Sequence, residues 1–156
     1  MRFEESSLEA KKVLQDVRDE YFPDLVNINI LMLFDTKKRI SGGKVVLGRI
    51  QKTNDLLRHL TIEDSRDDEG YDFIIYLDQK IFTNIEKDDK IRLIRHELRH
   101  ILYDTESEKN PFKIAPHDIE DFKIELELNK DDIDWADRVA SLGEALYSQE
   151  SDQERD

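Results

Sequence analysis

Hydrophobic and polar residues alternate along the chain with two periods, one typical of helices and one typical of strands. Between residues 8 and 21 the apolar positions recur at helical spacing, and Ser6 and Ser7 precede them as candidate helix caps. Between residues 26 and 34 the apolar positions alternate instead, which predicts a strand with one buried face. The same reasoning predicts strands at 44–52 and 71–77, and helices at 54–60, 87–103, 118–128 and 131–147.

These elements predict an α+β fold in which a small mixed sheet packs on one long helix and several flanking helices. Gly42 and Gly43 lie between the strands predicted at 26–34 and 44–52, so we expect these two strands to pair antiparallel. No long linker interrupts the pattern, and we expect residues 1–148 to form a single domain. Residues 149–156 are polar and are predicted to form a disordered tail.

Charged residues make up 39% of the chain, and the formal net charge is −13. Because binding to phosphate backbones or anionic lipids relies on clustered Lys and Arg, this charge argues against nucleic acid and membranes as partners. Cysteine is absent, so a tightly bound transition metal must use histidine and carboxylate ligands. The N-terminal residues lack the apolar core of a signal peptide, and no run approaches the roughly 18 apolar residues of a membrane span. We therefore expect a cytoplasmic protein.

The pattern His-Glu-x-x-His lies at residues 96–100, within the helix predicted at 87–103. In a helix, His96 and His100 lie one turn apart on the same face, where both imidazoles can bind one metal ion. Glu97 follows the first histidine and can act as general base on a metal-activated water. Its neighbours Arg95 and Arg99 are predicted to be surface charges. The motif therefore predicts the zinc site of a metallopeptidase that acts on a peptide or protein substrate.

A catalytic zinc usually has three protein ligands and one open position, so a third ligand is needed. His117 follows a proline at the start of the helix predicted at 118–128, where a side chain can turn toward the motif. Acidic residues nearby are alternative ligands, or partners that orient a ligand imidazole. Spacing and chemistry favour His117 and leave the acids, or no third protein ligand, as alternatives. These acids are Asp104, Asp118, Glu120 and Asp121.

Three segments of the chain resemble the phage metallopeptidase family, a compact group of zincins related in outline to SprT-like proteases. The segments are Tyr71-Asp72-Phe73-Ile74-Ile75-Tyr76, His96-Glu97-Leu98-Arg99-His100 and His117-Asp118-Ile119-Glu120-Asp121-Phe122. The resemblance covers most of residues 20–140. It implies a minimal zincin fold, zinc bound by His96, His100 and His117, and Glu97 as the catalytic base.

The favoured hypothesis is a zinc-dependent peptidase in which the strand at 71–77 lies along the cleft and pairs with an extended peptide. The alternative is a non-catalytic, metal-braced binding or regulatory protein, which could be phage-encoded. A third hypothesis is a metal-free helical adaptor. Glu97 favours the peptidase, because a purely structural metal site does not need a glutamate after its first histidine.

Overall fold

Helices and strands are mixed along the chain, as the computed structural model of residues 1–65, 69–103, 112–114 and 122–155 shows. This confirms the predicted α+β class. In chain order the elements are β1 (Phe3–Glu5), α1 (Leu8–Tyr21), β2 (Ile30–Asp35), β3 (Ile40–Ser41), β4 (Lys44–Val45), β5 (Gly48–Lys52), α2 (Asp55–Leu60), β6 (Phe73–Asp78), α3 (Gln79–Asn84), α4 (Lys87–Arg99), β7 (Ile101–Tyr103), β8 (Phe112–Ile114), α5 (Lys123–Leu128) and α6 (Trp135–Arg155).

The main sheet has four strands in the order β1-β2-β6-β5. β2 and β6 pair in parallel at its centre, while β1 and β5 pair antiparallel with them at the two edges. The predicted antiparallel pairing of residues 26–34 with 44–52 is therefore wrong. Gly42 and Gly43 do form a tight turn with positive φ, but it joins the two-residue strands β3 and β4. β6, which comes later in the chain, takes the place beside β2.

The hydrophobic core lies on one face of the main sheet. Alternate residues of the two central strands point into it and share it with apolar side chains of α1 and α4. The alternate residues on the opposite face are only half-buried. The buried strand residues are Ile30, Met32, Phe34, Phe73, Ile75 and Leu77, and the half-buried ones are Leu31, Leu33, Ile74 and Tyr76.

Two of the predicted helices near the N-terminus are confirmed. Helix α1 begins after Ser7, whose hydroxyl accepts a hydrogen bond from the backbone N–H of Ala10 at 3.1 Å. Helix α2 begins after Asn54, whose side chain accepts from the N–H of Leu57. Helix α3 was not predicted, although Asp78 caps it by accepting from the N–H of Ile81.

The helix predicted at 87–103 ends earlier, at Arg99, and the next residues form β7, which pairs antiparallel with β8. β8 lies between the helices predicted at 87–103 and 118–128, where no strand was predicted. Helix α5 begins within the helix predicted at 118–128, of which residues 118–121 lie outside the described ranges. The predicted tail at 149–156 instead continues α6 as far as Arg155.

Across the described parts of the chain, no helix has both the length and the apolar character needed to cross a membrane.

Candidate metal centre

The last turn of α4 carries the His-Glu-x-x-His motif. His96 and Glu97 lie within the helix, and His100 is its C-terminal cap with helical backbone angles, φ −68° and ψ −19°. The two imidazole rings have their centroids 5.4 Å apart and are inclined at 80°. The spacing that the sequence predicts is thus present although α4 ends before His100.

Two imidazoles that bind one zinc ion have a characteristic distance between their ring centroids. A zinc–nitrogen bond of about 2.1 Å places the ion about 3.2 Å from each ring centroid, and a tetrahedral angle then separates the centroids by about 5.2 Å. The observed 5.4 Å is close to this value and also lies in the ordinary range for edge-to-face ring pairs. Two neighbouring imidazoles without any cysteine are also a donor set suited to zinc. The residues present therefore fit a zinc ion.

A complete set of ligands is not formed by the described residues alone. Within residues 1–65, 69–103, 112–114 and 122–155, no three His, Asp or Glu side chains lie close enough together to bind a metal ion. The predicted third ligand His117 and the four acids proposed as its alternatives or partners all lie outside these ranges. They are Asp104, Asp118, Glu120 and Asp121.

Phe122 is the first described residue after that segment, and its ring contacts the histidine pair. Its centroid lies 5.0 Å from that of His100 and 5.9 Å from that of His96. Trp135, at the start of α6, lies 6.5 Å from His96 on the same measure. Trp135 is buried in the core, and it also borders the site. The rings of Phe122 and Trp135 thus pack beside the imidazoles.

Glu97 is almost completely buried, with 5% of its surface exposed. Burial raises the pKa of its carboxyl to about 7, although the positive charges of His96 and Arg49 act in the opposite direction. Gly48, the first residue of β5, lies close against it: a Cβ added there would be 3.6 Å from Glu97 Oε1 and 2.9 Å from Leu77 Cδ2. The absence of a side chain at Gly48 thus leaves space beside the carboxylate.

A cavity of about 250 Å³ opens beside His96 and Glu97. The remaining side chains of its wall are apolar, so it can accept an apolar group next to the two polar residues. These apolar side chains come from the β4–β5 connection, α4 and the start of α6. They are Val46, Leu47, Leu93, Trp135 and Ala136.

The strand beside this cavity is β5, which corrects the prediction that the strand at 71–77 pairs with a peptide. β6 is hydrogen-bonded to β2 on one side and to β5 on the other, so its backbone groups are already used. β5 lies at the edge of the main sheet and next to α4. Among the described residues its outer edge has no paired strand, and β8 lies nearby.

Arg95 and Arg99 are not the surface charges that the sequence predicts. Arg95 Nε donates to Glu125 Oε1 at 2.7 Å, and Arg99 Nε donates to Glu125 Oε2 at 2.9 Å. Arg95 also donates to the side chain of Asn129. The guanidinium groups of Arg95 and Arg99 stack on the rings of Tyr21 and Phe22, respectively. This ionic network fixes α5 against α4.

A family model described as "Putative phage metallopeptidase" matches residues 1–147. No curated protein and no solved structure matches the chain significantly.

Proposed function

The chain belongs to this family of phage metallopeptidases, and from that premise we propose that it hydrolyses peptide bonds with a zinc ion bound at His96 and His100. The observation that supports this most strongly is the arrangement at the end of α4. Two imidazoles one helical turn apart have their centroids 5.4 Å apart, and a buried carboxylate lies between them in sequence. A cavity opens beside them.

His117 is the proposed third ligand. It lies five residues before Phe122, whose ring contacts both histidines, and five residues can extend up to roughly 17 Å. The chain is therefore close to the site at a point from which His117 can reach it. Asp118, Glu120 and Asp121 are proposed as partners that orient a ligand imidazole, or as alternative ligands. When bound, zinc supplies a Lewis acid that activates water and polarises a carbonyl group.

Glu97 is the proposed general base. Its carboxylate accepts a proton from the attacking water and passes it to the leaving amine nitrogen. Burial raises the pKa of Glu97 and so makes its carboxylate a stronger base. The positive charge of a nearby metal would lower this pKa, as the charge of Arg49 does. The small volume of Gly48 keeps room for a water molecule beside Oε1.

A peptide substrate is proposed to bind as an additional strand along the outer edge of β5. Backbone hydrogen bonds to an edge strand hold a peptide in an extended conformation. This binding does not depend on the sequence of the peptide. A peptide in that position passes the motif, since β5 begins against Glu97. The cavity lined by Leu47 and Trp135 can then accept one apolar side chain.

Zinc binding tests the metal part of this proposal. The purified protein, dialysed against trace zinc, is expected to retain about one equivalent. The His96→Ala, His100→Ala double variant is expected to retain none, whereas His59→Ala, on the exposed surface of α2, keeps the wild-type amount. Equal zinc in the wild type and the double variant would place the metal elsewhere.

A further inference from the structure

Positive charge is concentrated in one segment of this acidic chain. Between residues 36 and 53 every charged side chain is Lys or Arg, although the whole chain has a net charge of −13. In the fold, this segment forms the β3–β4 hairpin and the edge strand β5. Arg49 and Lys52 lie on β5, the strand beside the candidate metal centre. Lys44 lies on β4, and Lys37, Lys38 and Arg39 precede β3.

Three of these charges are paired within the fold. Lys38 bonds to Glu144 at 3.2 Å, Lys44 to Asp137 at 3.5 Å, and Arg39 to Asp35 at 3.5 Å. These partly exposed pairs link the segment to α6 and β2.

Arg49 differs from these three residues. Its side chain is exposed and forms no ion pair with any other residue that the structure describes. It lies on β5 one residue after Gly48, directly opposite Tyr76 of β6 in the sheet register. Arg49 is thus a cation presented on the edge strand itself.

We propose that Arg49 selects peptide substrates that carry an acidic side chain opposite it when they pair with β5. This inference rests on the proposed function, since it names the class of peptide that the same cleft accepts. Directly opposite residues on paired strands have Cβ atoms about 5 Å apart, and opposite charges at that distance attract. An Asp or Glu in that position forms an ion pair with Arg49 on the face of the sheet that lacks the core.

The residues on either side of that acid have the opposite orientation, because side chains alternate along a strand. They face the helix side of the sheet, where Ile50 packs against the core and the apolar cavity opens. The expected substrate is therefore an extended segment in which acidic and apolar residues alternate.

The overall charge makes this inference easy to test, because a net charge of −13 would by itself repel an acidic peptide. At physiological salt the Debye length is about 8 Å, so distant charges are largely screened while a contact with Arg49 is not. The net charge of the chain therefore favours basic peptides, whereas the contact with Arg49 favours acidic ones.

Binding is measured by fluorescence anisotropy with zinc-loaded Glu97→Gln protein, which is not expected to cleave the probes. The probes are labelled decapeptides in which alanine alternates with aspartate, asparagine or lysine. The aspartate peptide is expected to bind roughly fivefold more tightly than the asparagine peptide. Adding Arg49→Glu should reverse this order in favour of lysine, whereas adding Lys12→Glu, the same charge change on the exposed side of α1, should keep it.

Cleavage of a mixed peptide library by the zinc-loaded wild type separates this inference from the proposed function. Cleavage sites enriched in acidic residues, with the enrichment lost in Arg49→Glu, support both. Cleavage without acidic enrichment leaves the peptidase standing and overturns the role of Arg49. Binding that depends on Arg49 without any cleavage supports the acidic preference and overturns the peptidase. Equal binding of the three probes, or tight binding of an oligonucleotide instead, would overturn the role of Arg49.

Discussion

Arg95 Nε donates a hydrogen bond to Glu125 Oε1 at 2.7 Å, and both side chains are buried, with 6% and 0% of their surfaces exposed. Arg95 precedes the first histidine of the motif, and Glu125 lies on the helix that follows Phe122. The pair therefore fixes α4, which carries the motif, against α5, which begins directly after Phe122. A buried charge without its partner is strongly destabilising.

Glu125→Ala is expected to lower the free energy of unfolding by about 3 to 5 kcal/mol, because it leaves two guanidinium groups without their shared carboxylate. Glu127→Ala is a matched control on the same helix, since Glu127 is largely exposed and its one ion pair within the described ranges is with Lys130 at 3.7 Å. The control should change stability by at most about 0.5 kcal/mol. Urea denaturation of the two variants measures the difference, and similar midpoints would contradict the role of the buried pair.

Local patterns account for what the sequence predicted correctly. Periods of a few residues predict helix α1, the alternating burial in β2 and β6, and the two histidines on one helix face. The pairing of strands depends instead on contacts between residues far apart in the sequence. β2 pairs with β6 rather than with the next strand because both have fully buried alternate residues and belong at the centre of the sheet.

The contacts of Arg95 and Arg99 also could not be predicted from local sequence patterns. The sequence gives no sign that Glu125 lies against Arg95 and Arg99, since thirty residues separate the carboxylate from the first of them. Charged residues in a helix are usually at the surface, so the pattern alone predicts exposure. Likewise, Gly48 is next to Glu97 only through the placement of β5 beside α4.

Asp89 makes stability depend on pH. Burial alone would raise the pKa of its carboxyl, but hydrogen bonds and ion pairs with Arg138 and Arg92 outweigh this and lower the pKa. The folded state then binds fewer protons than the unfolded state, whose Asp pKa is about 3.9. The stabilisation is fully present above that value and is lost as pH falls through the folded pKa.

The gap in unfolding free energy between wild type and Asp89→Asn should therefore be largest near pH 6 and shrink below about pH 4. Urea titrations at several pH values measure this gap. Asp88→Asn, at the exposed neighbouring position, serves as control and should give a small gap at every pH. A gap for Asp89→Asn that stays constant with pH would show that its ionised form does not stabilise the fold.

Gly48→Ala is expected to reduce peptidase activity without removing zinc. The added Cβ would lie 2.9 Å from Leu77 Cδ2 and 3.6 Å from Glu97 Oε1, so Leu77 must shift next to the base. A small displacement of a catalytic group can lower kcat by about 10- to 100-fold. Gly143→Ala is a matched control, because its Cβ would lie 2.5 Å from Ile81 Cδ1, outside the residues that line the site cavity. It should cost stability with kcat unchanged, and equal kcat in both variants would contradict a role for Gly48.

Zinc affinity identifies the third ligand. If His117 binds the ion, His117→Ala should weaken zinc more than Glu120→Ala, since loss of a partner that only orients a ligand typically costs about 10- to 100-fold. Competition with a chromophoric chelator gives both affinities on the same scale. A larger loss in Glu120→Ala would assign the ligand to that carboxylate instead.

The rate of peptide cleavage by zinc-loaded Glu97→Gln, relative to zinc-loaded wild type, tests the central claim most directly. The substitution keeps the size of the side chain and removes the base, so zinc content and Tm should remain close to those of wild type. The cleavage rate should fall by about 10² to 10⁴-fold, the usual contribution of general-base catalysis. Equal rates on the same peptide would contradict Glu97 as the base. If neither protein cleaves while both bind the peptide equally, the chain is a non-catalytic, metal-braced binding protein instead.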